Sequence, residues 1–225
     1  MTSFLLDSNT NNVKDPLNHW RRLTLHVTAF PNDFANHTQR IMLAMEPPLQ
    51  PYLSGAFQDF FIALGGTGHS LKEKMFHLAS PLLEVFSRKY FLQWLEEDSD
   101  VNLDCVRFAG STLVSTNCKK VLMTEDEKRR EAELLNTFLD ENYDNTIDKA
   151  RYCIAYGCID KARELLEADL LESKGLQYST EQELLTIYYY SQNKKALDDM
   201  SLKLLEMNKP LSKDWEKIQQ LAKEW

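Results

Sequence analysis

The chain has 225 residues, 43% of them hydrophobic and 27% charged, enough for one large domain or two of roughly half that size. Seven Gly and seven Pro are few and 34 Leu are many, which disfavours a turn-rich β fold and points to helices. A net charge of −8, with no concentrated basic surface, excludes nucleic-acid binding through overall charge.

Residues 1–14 read as a polar, disordered tail without the basic and apolar regions of a secretory signal. Asp15-Pro16 starts the first helix, an acid at the cap and proline at the first helical position, with Leu17, Trp20, Leu23 or Thr24, and Val27 as its stripe. A second helix over 33–45 carries Phe34, Ile41, Met42 and Met45. Three prolines then delay the next helix to Tyr52, where Leu53, Phe57, Phe60, Phe61 and Leu64 form a strongly apolar stripe ending at Gly65-Gly66. Asp59 sits alone in that stretch, which is too broken and too polar to span a membrane. Ser70 with Glu73 has the spacing of a capping box for a helix facing inward through Leu71, Met75 and Leu78. Pro81 restarts the chain for a helix of Leu82, Val85, Phe86, Tyr90, Phe91, Trp94 and Leu95. Residues 15–100 are thus expected to form an N-terminal helical bundle.

Residues 101–123, rich in Val, Thr, Ser and Asn, have no helical period and read as a linker or an irregular cover strand. Thr124 and Glu127 reopen helix, with Ala132, Leu135, Phe138 and Leu139 as its stripe. Beyond it, helix pairs break at Gly157 and at Ser191-Gln192-Asn193, and Ala162 and Ala196 lie 34 residues apart. That is the period of tetratricopeptide repeats, in which antiparallel pairs need a small residue where they cross. A last helix from Ser212, bearing Trp215, Ile218, Leu221 or Ala222, and Trp225 on one side, is placed to cap the array. The fold expected is all-α: the bundle, then tetratricopeptide-like hairpins over 124–225.

Candidate sites follow from that register. Tyr188 shares the stripe of Leu184 and Leu185, and the three tyrosines 188–190 span about 200° of helix surface, so they cannot all face one core. Counted from the two alanines, the inner groove of the repeat pair would present Arg151, Ile154, Leu185, Tyr188 and Tyr189 to a protein partner. The competing reading makes them packing residues covered by the bundle. Residues 124–225 carry 15 basic and 22 acidic side chains against 11 and 12 before them, so a partner of this segment is expected to offer Lys or Arg.

Five histidines fall in the first half without a Cys or carboxylate at ligand spacing, so no metal, cofactor or catalytic group is assigned. An enzyme reading would centre on His69 and His77. Gly65-Gly66-Thr67-Gly68 lacks the spacing of a phosphate loop, and Ser54-Gly55 that of a nucleophile elbow. Cys105, Cys118, Cys153 and Cys158 form no C-x-x-C motif and suit free thiols in a cytoplasmic setting.

The stretch from Glu181 carries Leu184, Leu185, Ile187, Tyr188, then Lys194-Lys195-Ala196-Leu197, Pro210 and Trp215-Glu216-Lys217. This pattern resembles the C-terminal end of the FimV/TspA family, large bacterial proteins of type IV pilus assembly and cell-pole organisation. With the unit before it, the resemblance covers roughly the last third of the chain. It implies a non-catalytic adaptor in pilus assembly, motility or polar organisation. The family's Asp-Pro-rich tail, peptidoglycan-binding module and transmembrane helix have no counterpart here, which implies a free-standing cytoplasmic relative. A structural role is the third expectation: two repeats leave an end face for the Trp215 helix or a second copy of the chain to cover.

Overall fold

The computed structural model describes residues 15–97, 106–114, 125–173 and 177–225, and the expectations for 1–14 and for the Thr124 cap lie outside them. Among the described residues there are eleven α-helices and no strand, so the fold is all-α. They divide into two compact units, one between Asn12 and Glu127 together with Ala155–Gly157, the other Lys128–Ile154 with Cys158–Trp225.

In the first unit α1 runs Pro16–Ala29, capped as expected by Asp15, whose carboxylate accepts from Leu17 N at 3.0 Å. Helix α2, Phe34–Ala44, is capped by Asp33 in the same way. A 3₁₀ turn at Gln50–Tyr52 leads into α3, Leu53–Leu64, which ends at Gly65 with φ +53°. Then come α4, His69–Ala79, and α5, Val85–Glu97. Helix α1 packs on α2, α2 on α3 and α4 on α5.

The core follows from α3. Phe57, Phe60 and Phe61 are fully buried, and Phe91 of α5 lies 5.6 Å from Phe57 and 5.4 Å from Phe61, ring centre to ring centre. Each such side chain contributes about 1.5–3 kcal/mol relative to exposure. Trp94 meets Phe61 edge-on, and Phe108 packs on Phe91 and Tyr90.

Three inward faces of this unit differ from expectation; on that of α5, Val85 and Phe86 are exposed, and Leu82 lies exposed before its start. Helix α2 buries His37, Arg40, Ile41 and Ala44, while Phe34 and Met42 are exposed. Helix α4 starts one residue before Ser70, with Gly68 in the left-handed region as its cap, and buries Lys72, Met75, Phe76 and Ala79 in place of Leu71 and Leu78. In the region read as a linker or cover strand, residues 106–114 lie against α3. A Cβ at Gly55 would stand 2.2 Å from Ala109 O, so only glycine lets the two backbones approach this closely.

The second unit holds α6, Glu125–Asn142, from Lys128 onward, and α7, Thr146–Tyr156, to Ile154. It continues with α8, Ile159–Glu172, α9, Tyr178–Ser191, α10, Lys194–Glu206, and α11, Lys213–Leu221. Asn193 caps α10 through Ala196 N at 3.0 Å, and Ser212 caps α11 through Trp215 N at 3.1 Å. Helix α8 packs on α9, and α9, α10 and α11 pack on one another. Trp215 is buried among them, its indole N–H donating to Ser201 Oγ of α10 at 2.7 Å. Of the stripe expected on α6, Leu139 is buried, whereas Ala132 and Phe138 are exposed.

Candidate functional site

The five residues predicted for the groove separate into two groups. Ile154, Leu185 and Tyr188 are buried, with at most 2% of their surface exposed, so they are corrected here from groove contacts to packing residues. Tyr188 does the most of the three. Its hydroxyl donates to Glu167 Oε1 of α8 at 2.7 Å, and its ring meets Trp215 of α11 edge-on. Burial, together with the Glu167 carboxylate, drives its pKa far above the ordinary phenol value. The alanine spacing gave no information on which side of each helix faces out.

Arg151 and Tyr189 remain accessible. Arg151 on α7 is half-exposed, its Nε donating to Glu183 Oε1 of α9 at 2.7 Å, with Asp148 one turn back at 3.9 Å. The pair ties α7 to α9 at the surface. Two turns beyond Glu183, on nearly the same side of α9, comes Tyr190, whose ring stands edge-on to Tyr189 at 5.2 Å, both half-buried. The result is a polar and aromatic surface with Thr186 between its ends. It has cation, carboxylate and phenol groups for hydrogen bonding, and rings for apolar contact.

Near the C-terminal end of α8 lies a cavity of about 10 Å³, lined by residues including Leu170, Glu181, Leu204, Lys209 and Trp215. That volume suits one water. The Lys209 ammonium donates to the carbonyls of Leu170 (2.7 Å), Leu171 (2.8 Å) and Ser173 (2.6 Å), a side-chain cap on the negative end of α8. Ser212 donates to Glu181 Oε1, and burial raises the pKa of that carboxyl above its ordinary value. These groups anchor α11 to α8 and α9 and leave no room for a substrate.

Sequence reasoning missed the polar centre of the first unit. Arg40 and Asp59 are both fully buried, Arg40 Nη1 donating to Asp59 Oδ2 at 2.6 Å. The guanidinium also donates to Thr24 Oγ1 at 3.2 Å and to Gly110 O, and lies 4.3 Å over the Trp20 ring. Asp59 accepts in addition from Ser111 Oγ (2.7 Å), Thr112 N (3.0 Å), Thr112 Oγ1 (3.2 Å) and Leu113 N (3.0 Å). Every group is matched, so the centre pins residues 110–113 onto α2 and α3 and is closed to ligands. One signal was present: Asp59 is the only charge between Glu46 and His69, and a lone acid in an apolar helix requires a buried partner.

His26 Nε2 lies 3.0 Å from Asp33 Oδ2. His37 is buried with Nε2 against Pro31 O at 3.0 Å and Nδ1 without a partner, and burial lowers its pKa to about 4, so the ring is neutral. His77 is exposed, 3.8 Å from Glu73. Among the described residues no three of His, Cys, Asp and Glu come together as a metal site, and no helix is long and apolar enough to cross a membrane. Cys153 is buried and its thiol is pushed up to about 12, against the reactivity of a thiolate.

No family model, no curated protein and no solved structure matches the chain.

Proposed function

We propose that the chain is a non-catalytic adaptor that captures a segment of another protein on the exposed side of α7 and α9. The observation that carries this reading is the Arg151–Glu183 pair at the surface, followed along α9 by the half-buried Tyr189–Tyr190 rings. Arg and Tyr are the residue types over-represented among binding hot spots, because each offers a large, stiff contact area with a polar end. A planar guanidinium with five N–H donors, bonded to Glu183 and only loosely approached by Asp148, keeps donors for a partner's acceptor.

In this reading the helices from α7 to α10 are two tetratricopeptide-like hairpins after an N-terminal bundle, with α11 as the cap. The buried Ala162, 34 residues before the half-buried Ala196, supports it. The net acidity of residues 124–225 suits a partner bearing Lys or Arg, whose association slows as salt rises. The likeness of residues 181–225 to the FimV/TspA end makes pilus assembly, motility or polar organisation the process to test first.

The test is affinity purification from the native cell with wild type and with the double variant Arg151→Ala, Tyr189→Ala. Loss of a specific partner in the folded variant supports the surface; unchanged recovery sinks it.

A further inference from the structure

Helix α10 has a second exposed face, unrelated to the surface just described. On its inner side Leu197, Met200, Ser201 and Leu204 are buried, yet Leu202 and Leu205 on the outer side are 60% and 54% exposed. At 100° per residue, Lys195, Asp199, Leu202 and Glu206 fall within about 60° of one another, with Lys203 at the margin. All four charged residues are exposed, and among the described residues none of them takes part in an ion pair.

These charges are poorly placed for an isolated helix. Lys194 and Lys195 occupy the first turn, which holds no acid, so the start of the helix opposes the macrodipole, while in the last turn Glu206 offsets the favourable Lys203. Lys195 precedes Asp199 by four residues, the weaker order for an intrahelical pair. An antiparallel copy of the same helix removes each fault. It sets the Lys-bearing start of one helix beside the Glu-bearing end of the other.

We propose that α10 is a self-association face, two copies of the chain pairing this helix antiparallel about a two-fold axis. Lys195 then meets Glu206 of the second copy and Asp199 meets Lys203, each contact occurring twice. The two Leu202 side chains, offset by about 4 Å along the axis, meet at the centre. A contact one helix wide is small for a stable dimer, so the association is weak and its test extends to about 1 mM protein.

Sedimentation equilibrium of the full chain from about 10 μM to 1 mM is expected to show the mass rising from 26.2 kDa toward twice that value. Lys195→Glu alone and Glu206→Lys alone are expected to stay monomeric, because each sets like charges together. The double reversal K195E/E206K is expected to restore the dimer. Both positions are exposed, and Lys195→Glu puts an acid at the start of α10, so a melting temperature no lower than wild type separates lost pairing from unfolding. A wild type monomeric throughout, a dimer indifferent to both single reversals, or a double variant that stays monomeric would each overturn the proposal.

Discussion

The two units of the chain differ in what their polar side chains leave at the surface. In the first, Arg40, Asp59, Gln58 and Ser111 point inward, where Gln58 Nε2 donates to Val106 O at 2.6 Å and Asp59 gathers the donors of residues 111–113. In the second, Tyr188 with Glu167, Thr180 with Asp169 and the contacts that hold α11 turn inward, but the Arg151–Glu183 pair and the aromatic pair Tyr189–Tyr190 lie at the surface. A buried ion pair adds little over an apolar core of the same shape, but a missing partner is very costly, so such a centre specifies one arrangement of chain. A half-exposed Arg and half-buried rings at the surface add little stability. Their value lies in what they can bind. The first unit is accordingly read as the fixed part of the molecule and the second as the part that meets partners.

The contrast can be broken most severely at Asp59. Asp59→Ala leaves the Arg40 guanidinium buried without its acid, and denaturant unfolding is expected to register a loss of about 3–5 kcal/mol. A loss below about 1 kcal/mol would mean that the centre is open to water. His37 tests the same interior by pH. It is neutral when folded down to about 4 but titrates at its ordinary value near 6.5 when unfolded. The unfolded chain therefore binds the extra proton, and stability holds above 6.5 and falls as pH drops from 6.5 toward 4. The slope from this group is at most about 1.4 kcal/mol per pH unit. His37→Leu is expected to flatten that part of the stability–pH curve.

In the second unit, Lys209→Met uncaps three carbonyls at the end of α8 that water can partly satisfy, with an expected cost of about 1–2 kcal/mol in thermal or denaturant unfolding. The double variant Arg151→Ala, Tyr189→Ala is expected to cost under about 1 kcal/mol of stability and yet to abolish partner recovery. If it unfolds the protein, these residues belong to the core and the contrast fails.

What the sequence made legible was local. Asp15-Pro16, Asn193, Ser212 and Gly65 act within three or four residues of themselves, and all stand where their chemistry predicts. The apolar run of α3 was legible because it is buried almost all round. Faces were harder to read. Helix α2 offered Phe34 and Met42 as an apolar stripe, but Asp59 draws Arg40 inward from nineteen residues away, and the helix turns with it. That partnership crosses elements and leaves no spacing to find. The same gap affected the candidate site: Arg151 and Tyr189 are accessible, whereas the register alone gave no reason to separate them from Ile154, Leu185 and Tyr188.

The most direct test compares the two units in the living cell. A photo-crosslinking residue placed at Tyr189 and, separately, at Phe86, an exposed aromatic of the first unit, reads partner contact at each position. A discrete cross-linked species is expected from position 189 and none from position 86. Cross-links from 86 with none from 189 would contradict this expectation, placing the binding surface on the unit read here as the fixed one.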